Sequence, residues 1–168
     1  EGMLVARGTS TSTVTFTSSA ASPAAGDWGY IKFKDSSTDA TFDGNGDYAG
    51  GSILEHCIVE YGGGIGDNST GQVWADSSSP FINNCTVRYS KANGVSITPG
   101  VAFKFTNNTL SSNGTAGLFT SGSVSGGSTV TISGNTVSNN GSTATATWYN
   151  RGGLRIGDTG VTTYITNN

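Results

Sequence analysis

Five short segments of this chain align with one another, and the repeat they form constrains the fold more than any other feature. They begin at residues 53, 81, 104, 131 and 164, so successive segments start after 28, 23, 27 and 33 residues. A repeat of roughly 20 to 50 residues is typical of a solenoid, because each unit can bury its apolar side only against its neighbours. Apolar residues alternate with polar ones, as in Lys104-Phe105-Thr106 and Thr131-Ile132-Ser133. That period predicts short β-strands.

The repeat predicts an all-β, single-stranded parallel β-helix of about six coils, each with three short strands. Segments rich in Gly and Asn separate the strands, and these residues tolerate the backbone conformations of sharp corners. A long excursion from the coils is predicted at residues 34–51. No internal boundary interrupts the pattern, so residues 1–168 are expected to form one domain.

Composition excludes several classes of function. The chain has 168 residues with a formal net charge of −3 and only 11% charged residues, and Lys and Arg form no run. Nucleic acid is therefore not an expected partner, because binding phosphates requires a concentrated basic face. No apolar run approaches the roughly 18 residues of a membrane span. The few charges and the abundant Ser, Thr and Asn favour an extracellular or cell-surface location.

Aligning the repeats predicts which side chains stack from coil to coil. One inward column is expected to contain Phe16, Leu54, Ile82, Phe105, Ile132 and Ile165, and another Val59, Val87, Leu110 and Val137. Between them, stacked Asn side chains can hydrogen-bond along the solenoid. That column is predicted to contain Asn108, Asn135 and Asn168, together with Cys57 and Cys85.

The two cysteines fall one coil apart, and two interpretations stay open. Neighbouring strands place α-carbons about 4.8 Å apart, which a disulfide accepts. However, two side chains that point the same way need not reach the geometry of the bond, and Cys also packs well as a small apolar residue. Stacked, unbonded thiols are the favoured prediction for Cys57 and Cys85.

Two further segments are distinctive: GMLVARGT at residues 2–9 and GDWGYIKF at residues 26–33. With the repeats, they resemble the secreted right-handed parallel β-helix proteins of microbes, the pectate-lyase-like solenoids. The resemblance implies a right-handed helix but not an activity, because this fold carries lyases, hydrolases, epimerases, tailspikes and adhesins. Family members usually have capped ends. No cap is visible at Glu1 or Asn168, so we expect uncapped ends, and hence a segment of a longer solenoid or a filament subunit whose ends other chains cover.

One outward column combines aromatic and cationic side chains. It is predicted to contain Val5, Lys32, Trp74, Ser96, Phe119 and Arg155. Aromatic rings beside cations suit sugar rings and acidic polysaccharides, so Lys32, Trp74, Phe119 and Arg155 are the candidate carbohydrate-binding residues. Alternatively, loops of neighbouring coils cover the two rings. A second outward column, also partly apolar, offers a face for another rod. It is predicted to contain Thr15, Ile53, Phe81, Lys104, Thr131 and Tyr164.

The sequence Asp43-Gly44-Asn45-Gly46-Asp47 is the one metal-like motif. Oxygen ligands at alternate positions suit Ca²⁺, which makes Asp43, Asn45 and Asp47 candidate ligands. The motif departs from an EF-hand loop, because Tyr48 replaces the expected Gly and Leu54 the bidentate Glu. Asp and Gly are also common in loops that bind no metal. We therefore expect either no cofactor or Ca²⁺.

The one candidate catalytic cluster consists of Glu55, His56, Glu60 and Arg88. The alternative is a solvated ion pair between Glu60 and Arg88 with no catalytic role. The Asp-Asp, Gly-His-Gly and Arg-Ile-Lys sequences of related hydrolases are missing. The sequence therefore favours a non-enzymatic, structural or adhesive solenoid in a longer rod or filament. The alternative is a carbohydrate-binding or polysaccharide-degrading β-helix, a lyase or hydrolase, that acts through the outward face around Trp74.

Overall fold

The computed structural model of the chain describes residues 2–65, 70–124, 129–142, 152–157 and 160–168. The first coil contains β1 (Val5–Arg7), β2 (Val14–Phe16) and β3 (Ile31–Phe33), and a hairpin of β4 (Thr41–Phe42) and β5 (Tyr48–Gly50) follows it. The second coil contains β6 (Ile53–Glu55), β7 (Cys57–Glu60) and β8 (Gly71–Asp76), and the third β9 (Phe81–Asn83), β10 (Thr86–Arg88) and β11 (Asn93–Thr98). The fourth contains β12 (Lys104–Thr106), β13 (Thr109–Ser111) and β14 (Ala116–Thr120), and the fifth β15 (Val130–Ser133), β16 (Thr136–Ser138) and β17 (Gly152–Ile156). Strand β18 (Thr163–Thr166) begins a sixth.

Equivalent strands of successive coils pair in parallel and form three sheets. Sheet I has the order β1-β6-β9-β12-β15-β18, sheet II the order β2-β7-β10-β13-β16, and sheet III the order β3-β8-β11-β14-β17. Only the β4–β5 hairpin pairs antiparallel among the described strands. The predicted parallel β-helix of about six three-stranded coils is therefore confirmed. Among the residues that the structure describes, none forms a helix that could cross a membrane.

A residue with positive φ follows the sheet I strand in each coil after the first, and in the second to fifth coils it turns the chain into sheet II. These residues are His56, Asn84, Asn107, Gly134 and Asn167, with φ between 49° and 67°. The left-handed conformation turns the backbone sharply but is costly for most residues, which explains the frequent Asn and Gly. These corners contain only one or two residues outside the strands, which leaves little freedom to slip, so they fix the register of the strands on both sides.

Both inward columns form the core as predicted, apart from the first coil. Leu54, Ile82, Phe105 and Ile132 stack in register and are fully buried. Val59, Val87 and Leu110 are likewise fully buried, and Val137 continues their column. Ile165 pairs with Ile132 but is 48% exposed, because it lies on the last described strand of sheet I.

The prediction for the first coil is wrong, because it assigned the first two strands to the wrong sheets. Phe16 pairs with Val59 instead of joining the column of Leu54, and Thr15 pairs with Ile58 instead of Ile53. Val5 pairs with Ile53, so it lies in sheet I and not in the column of Trp74. The cause is the first corner, where residues 8–13 replace the one or two corner residues of later coils and a bridge between Thr9 and Ser12 closes the turn.

Two ladders of Asn side chains follow the corners of the helix. In the predicted ladder, Asn108 Oδ1 accepts a bond from the backbone N–H of Cys85, while its Nδ2 donates to Ile82 O and to Asn135 Oδ1. Asn135 repeats the pattern with Asn168. A second ladder, which the sequence analysis did not identify, joins Asn113 to Asn140 where sheet II ends. Both ladders satisfy buried backbone groups that the turns leave without strand partners.

Cys57 and Cys85 are free thiols, buried one above the other at the start of the first Asn ladder. The favoured prediction of unbonded thiols is confirmed. Cys85 Sγ lies 3.3 Å from Leu54 O, and Cys57 Sγ lies 3.4 Å from Ala6 O. The hydrogen bond with Cys57 and the burial of the thiol together raise the pKa of Cys85 above its ordinary value of 9.0. The pair thus packs as small apolar side chains that also hydrogen-bond along the stack.

Candidate functional site

The four predicted carbohydrate-binding residues lie in one file on the outer face of sheet III. Lys32 pairs with Trp74, and Trp74 is followed in register by Ser96, Phe119 and Arg155. The Lys32 ammonium lies 3.5 Å from the centre of the Trp74 ring, and the Arg155 guanidinium lies 4.4 Å from that of Phe119. The face therefore carries two cation–π pairs, one across the first and second coils and one across the fourth and fifth.

Neighbouring side chains restrain this aromatic face. The ring of Tyr30 meets Trp74 edge to face with centres 5.3 Å apart, and Lys32 also pairs with Asp76 at 2.8 Å. Trp74 and Phe119 are both partly buried, while Ser96 between them is fully buried. The rings are thus held in place by contacts, and part of each ring remains accessible to a ligand.

The β4–β5 hairpin lies over the outer face of sheet I and covers the first half of the second outward column. Ile53 is fully buried and Phe81 is 8% exposed, because both pack against Phe42 and Tyr48 of the hairpin. The ring of Phe42 meets that of Phe81 edge to face at 5.2 Å. Lys104 also contacts the hairpin, through the carbonyl oxygen of Gly46 and the ring of Phe42, whereas Tyr164 farther along the column is 56% exposed. The predicted apolar face for another rod is therefore covered in the second and third coils by the chain's own hairpin.

Polar side chains line a cleft between the tip of the hairpin and sheet I. The cleft has a volume of about 400 Å³. Its lining consists of Arg7, Gly46, Asp47, Tyr48, Glu55, Phe81, Asn83, Thr106 and Asn107. This site was not predicted, because the sequence does not show that residues 34–51 fold back over the outer face of sheet I. The one available signal was the polar file Arg7, Glu55, Asn83 and Thr106 along sheet I.

The three candidate calcium ligands lie at the tip of the hairpin. Asp43 Oδ1 accepts hydrogen bonds from the backbone N–H groups of Asn45 and Asp47, each at 2.9 Å. Gly46 has a φ of 86°, which closes the turn. No group of three His, Cys, Asp or Glu side chains comes together within the described ranges in a way that could hold a metal ion. Asp43 thus has a role in the turn, and calcium binding stays a prediction.

Glu55 and Glu60 of the candidate catalytic cluster belong to separate ion pairs, while His56 forms the corner between β6 and β7. Arg88 Nε donates to Glu60 Oε2 at 2.8 Å, and Thr17 donates to the other oxygen of Glu60. The Glu60 carboxylate raises the pKa of Arg88. Glu55 pairs instead with Arg7 at 2.8 Å. Each carboxylate is therefore bound by an Arg of the neighbouring coil, so these ion pairs join one coil to the next.

A comparison with protein families agrees with this architecture. Residues 9–168 match the family model described as a right handed beta helix region. The chain belongs to the right-handed β-helix family. The match gives the solenoid a right-handed sense and covers every strand described above except β1. Searches of curated proteins and of solved structures gave no match. Within this family the function of the chain rests on its own surface residues.

Proposed function

We propose that this β-helix is a non-enzymatic structural or adhesive solenoid, located outside the cell or at its surface, within a longer rod or filament. The observation that carries the proposal is the pairing of charges between coils. Arg7 with Glu55, Lys32 with Asp76 and Arg88 with Glu60 each join neighbouring coils at 2.8 Å. A carboxyl group that acts as a general acid or base must be able to exchange a proton with a substrate, and these carboxylates are occupied in binding one coil to the next.

The outer face of sheet III supports a more specific adhesive role, in which polysaccharide is the ligand. The ammonium of Lys32 and the guanidinium of Arg155 lie over aromatic rings, so the file has a cation at each end and two rings between them. Coils repeat at about 4.8 Å, so one extended chain can contact several coils in succession. Rings and cations together suit sugars that carry acidic groups.

The proposed absence of catalysis is tested with the Glu60→Gln variant. Wild type and variant are incubated with a panel of acidic and neutral polysaccharides, and released reducing ends and unsaturated products are measured. We expect no product from either protein, together with a loss of about 1 kcal/mol of unfolding free energy in the variant. Product release by wild type that Glu60→Gln abolishes would overturn the proposal. Electron microscopy of the protein as its source makes it should show rods or filaments.

The binding role is tested on an array of acidic oligosaccharides with Trp74→Ala and with Tyr164→Ala as the matched control. Tyr164 is an exposed aromatic residue on a different sheet, so its loss should leave binding unchanged. We expect Trp74→Ala to weaken binding by about tenfold, as loss of a cation–π and stacking platform predicts. Equal binding by all three proteins, or no binding at all, rules out the sheet III face.

A further inference from the structure

The cleft beneath the hairpin has an ordered network of polar side chains along its floor. Glu55 Oε1 accepts a bond from Asn83 Nδ2 at 3.2 Å, and Asn83 Oδ1 accepts bonds from Thr106 Oγ1 at 2.8 Å and Asn107 Nδ2 at 3.3 Å. These four residues come from three successive coils. Their planar groups are therefore held in fixed positions before any ligand arrives.

The wall of the cleft is fixed in a similar way. The ring of Tyr48 stacks on Phe81 with centres 6.2 Å apart, and the guanidinium of Arg7 lies 5.2 Å from the centre of the Tyr48 ring. Arg7 also bonds to Glu55 Oε2 through Nε and through its terminal nitrogen, each at 2.8 Å. Contacts on two sides thus restrain a long side chain that is 49% exposed.

These bonds leave both donors and acceptors for a ligand. Arg7 uses two of the five N–H donors of its guanidinium in the bonds to Glu55, and Asn83 uses one of the two N–H donors of its amide. The carboxylate of Asp47, at the lip of the cleft, is an acceptor. A surface that offers donors and acceptors side by side matches hydroxyl groups, which both donate and accept.

The charge of the lining argues against an anionic ligand. One Arg faces one Asp and one Glu, so the formal charge of the lining residues is negative by one unit. The positive charge of Arg7 is already matched by Glu55 at 2.8 Å. A phosphate, sulfate or uronate would bring acceptors toward two carboxylates, which raises its free energy in the cleft.

We infer that this cleft binds a neutral saccharide. The volume of about 400 Å³ lies within the range of ligand sites and accommodates about one or two pyranose rings. Vicinal hydroxyls of the sugar bond to the planar side chains of Glu55, Asn83 and Arg7, while its C–H groups contact the edge of Tyr48. The inference goes beyond the proposed function, since it concerns a different sheet and a ligand of different charge.

The experiment uses the full chain on an array that contains neutral hexose oligosaccharides and uronic acid oligosaccharides side by side. Five proteins are compared: wild type, Asn83→Ala, Thr106→Val, Trp74→Ala and Thr109→Val. Thr109→Val serves as a matched control for Thr106→Val, because Thr109 is an exposed threonine on sheet II. Thermal unfolding establishes which variants fold, and Thr106→Val, which removes a single hydroxyl, decides the question if Asn83→Ala does not fold.

We expect wild type to bind a neutral oligosaccharide, and Asn83→Ala or Thr106→Val to bind it about tenfold more weakly. Trp74→Ala and Thr109→Val should bind it as wild type does. The inference is overturned if no neutral oligosaccharide binds, if uronic acid oligosaccharides compete for the cleft, or if Trp74→Ala alone loses binding. The last outcome would still support the sheet III face, so the two proposals fail separately.

Discussion

The ammonium group of Lys104 donates a 2.6 Å hydrogen bond to the carbonyl oxygen of Gly46, 58 residues earlier in the chain. The same ammonium lies 4.3 Å from the centre of the Phe42 ring. One side chain of the fourth coil therefore holds both the tip and the first strand of the hairpin that covers sheet I. The hairpin and the cleft beside it depend on this attachment.

Replacing Lys104 should release the hairpin without unfolding the solenoid. We expect Lys104→Met to lower the unfolding free energy by about 1 to 3 kcal/mol, because a charged hydrogen bond and a cation–π contact are lost. Hydrogen exchange should accelerate at residues 41–50 and not in sheet II. Lys34→Met, at an exposed position, is the control. Unchanged exchange in the hairpin would show that apolar packing alone attaches it.

Removing one member of the Asn ladder should cost much more than removing a surface Asn. Asn108→Ala leaves the N–H of Cys85 and the carbonyl of Ile82 without their partner, and both are buried. We expect a loss of about 2 to 4 kcal/mol in chemical denaturation. Asn45→Ala, at the exposed tip of the hairpin, should change stability little. Equal effects of the two substitutions would contradict a structural role of the ladder.

The turn role of Asp43 can be separated from calcium binding. Asp43→Ala removes the acceptor of two backbone N–H groups, so we expect a loss of about 1 to 2 kcal/mol in the absence of calcium. Asp35→Ala, at another exposed position, is the control. A melting temperature that rises with added CaCl2 in wild type but not in Asp43→Ala would show that the loop also holds the ion. An unchanged melting temperature in both would leave only the turn.

Stability should fall at alkaline pH because of Cys85. The folded protein raises the pKa of this thiol above the ordinary value of 9.0, so the folded state favours the protonated thiol. Its contribution is complete below pH 9.0 and is lost progressively as the pH rises above it, where the unfolded thiol ionises. The hydrogen bond between the two thiols lowers the pKa of Cys57, which offsets part of this loss. Cys85→Ala should show a shallower decline in unfolding free energy over the same range. Native thiols that react with a disulfide reagent as fast as denatured thiols would contradict the burial.

Most of the fold follows from a pattern that depends on neighbouring coils alone. The residues stacked in register with Leu54 and Val59 in later coils were predictable, because every coil must present an apolar residue to the one before it. The Asn108–Asn135 ladder was predictable for the same reason. The first coil was not, since the turn at residues 8–13 has a length that no other corner repeats.

The repeat also predicted one of the two candidate binding sites and not the other. The file of Lys32, Trp74, Phe119 and Arg155 was predictable from the register, although its role as a binding face stays a prediction. The cleft of Arg7, Glu55 and Asn83 was not predictable. It forms because the inserted hairpin packs on sheet I, whose strands come from before and after the hairpin in the sequence. Contacts of this kind are set by tertiary packing, which periodicity does not report.

The short corners and the stacked columns affect how the length of such a protein can change in evolution. Ile132 lies over Phe105, Asn135 over Asn108 and Val137 over Leu110. Excising residues 104–130 would therefore bring side chains of the same kind onto the third coil, whereas deleting one residue from β13 would turn its whole strand inside out. Recombination between repeats of the gene can thus shorten or lengthen the rod in steps of a full turn.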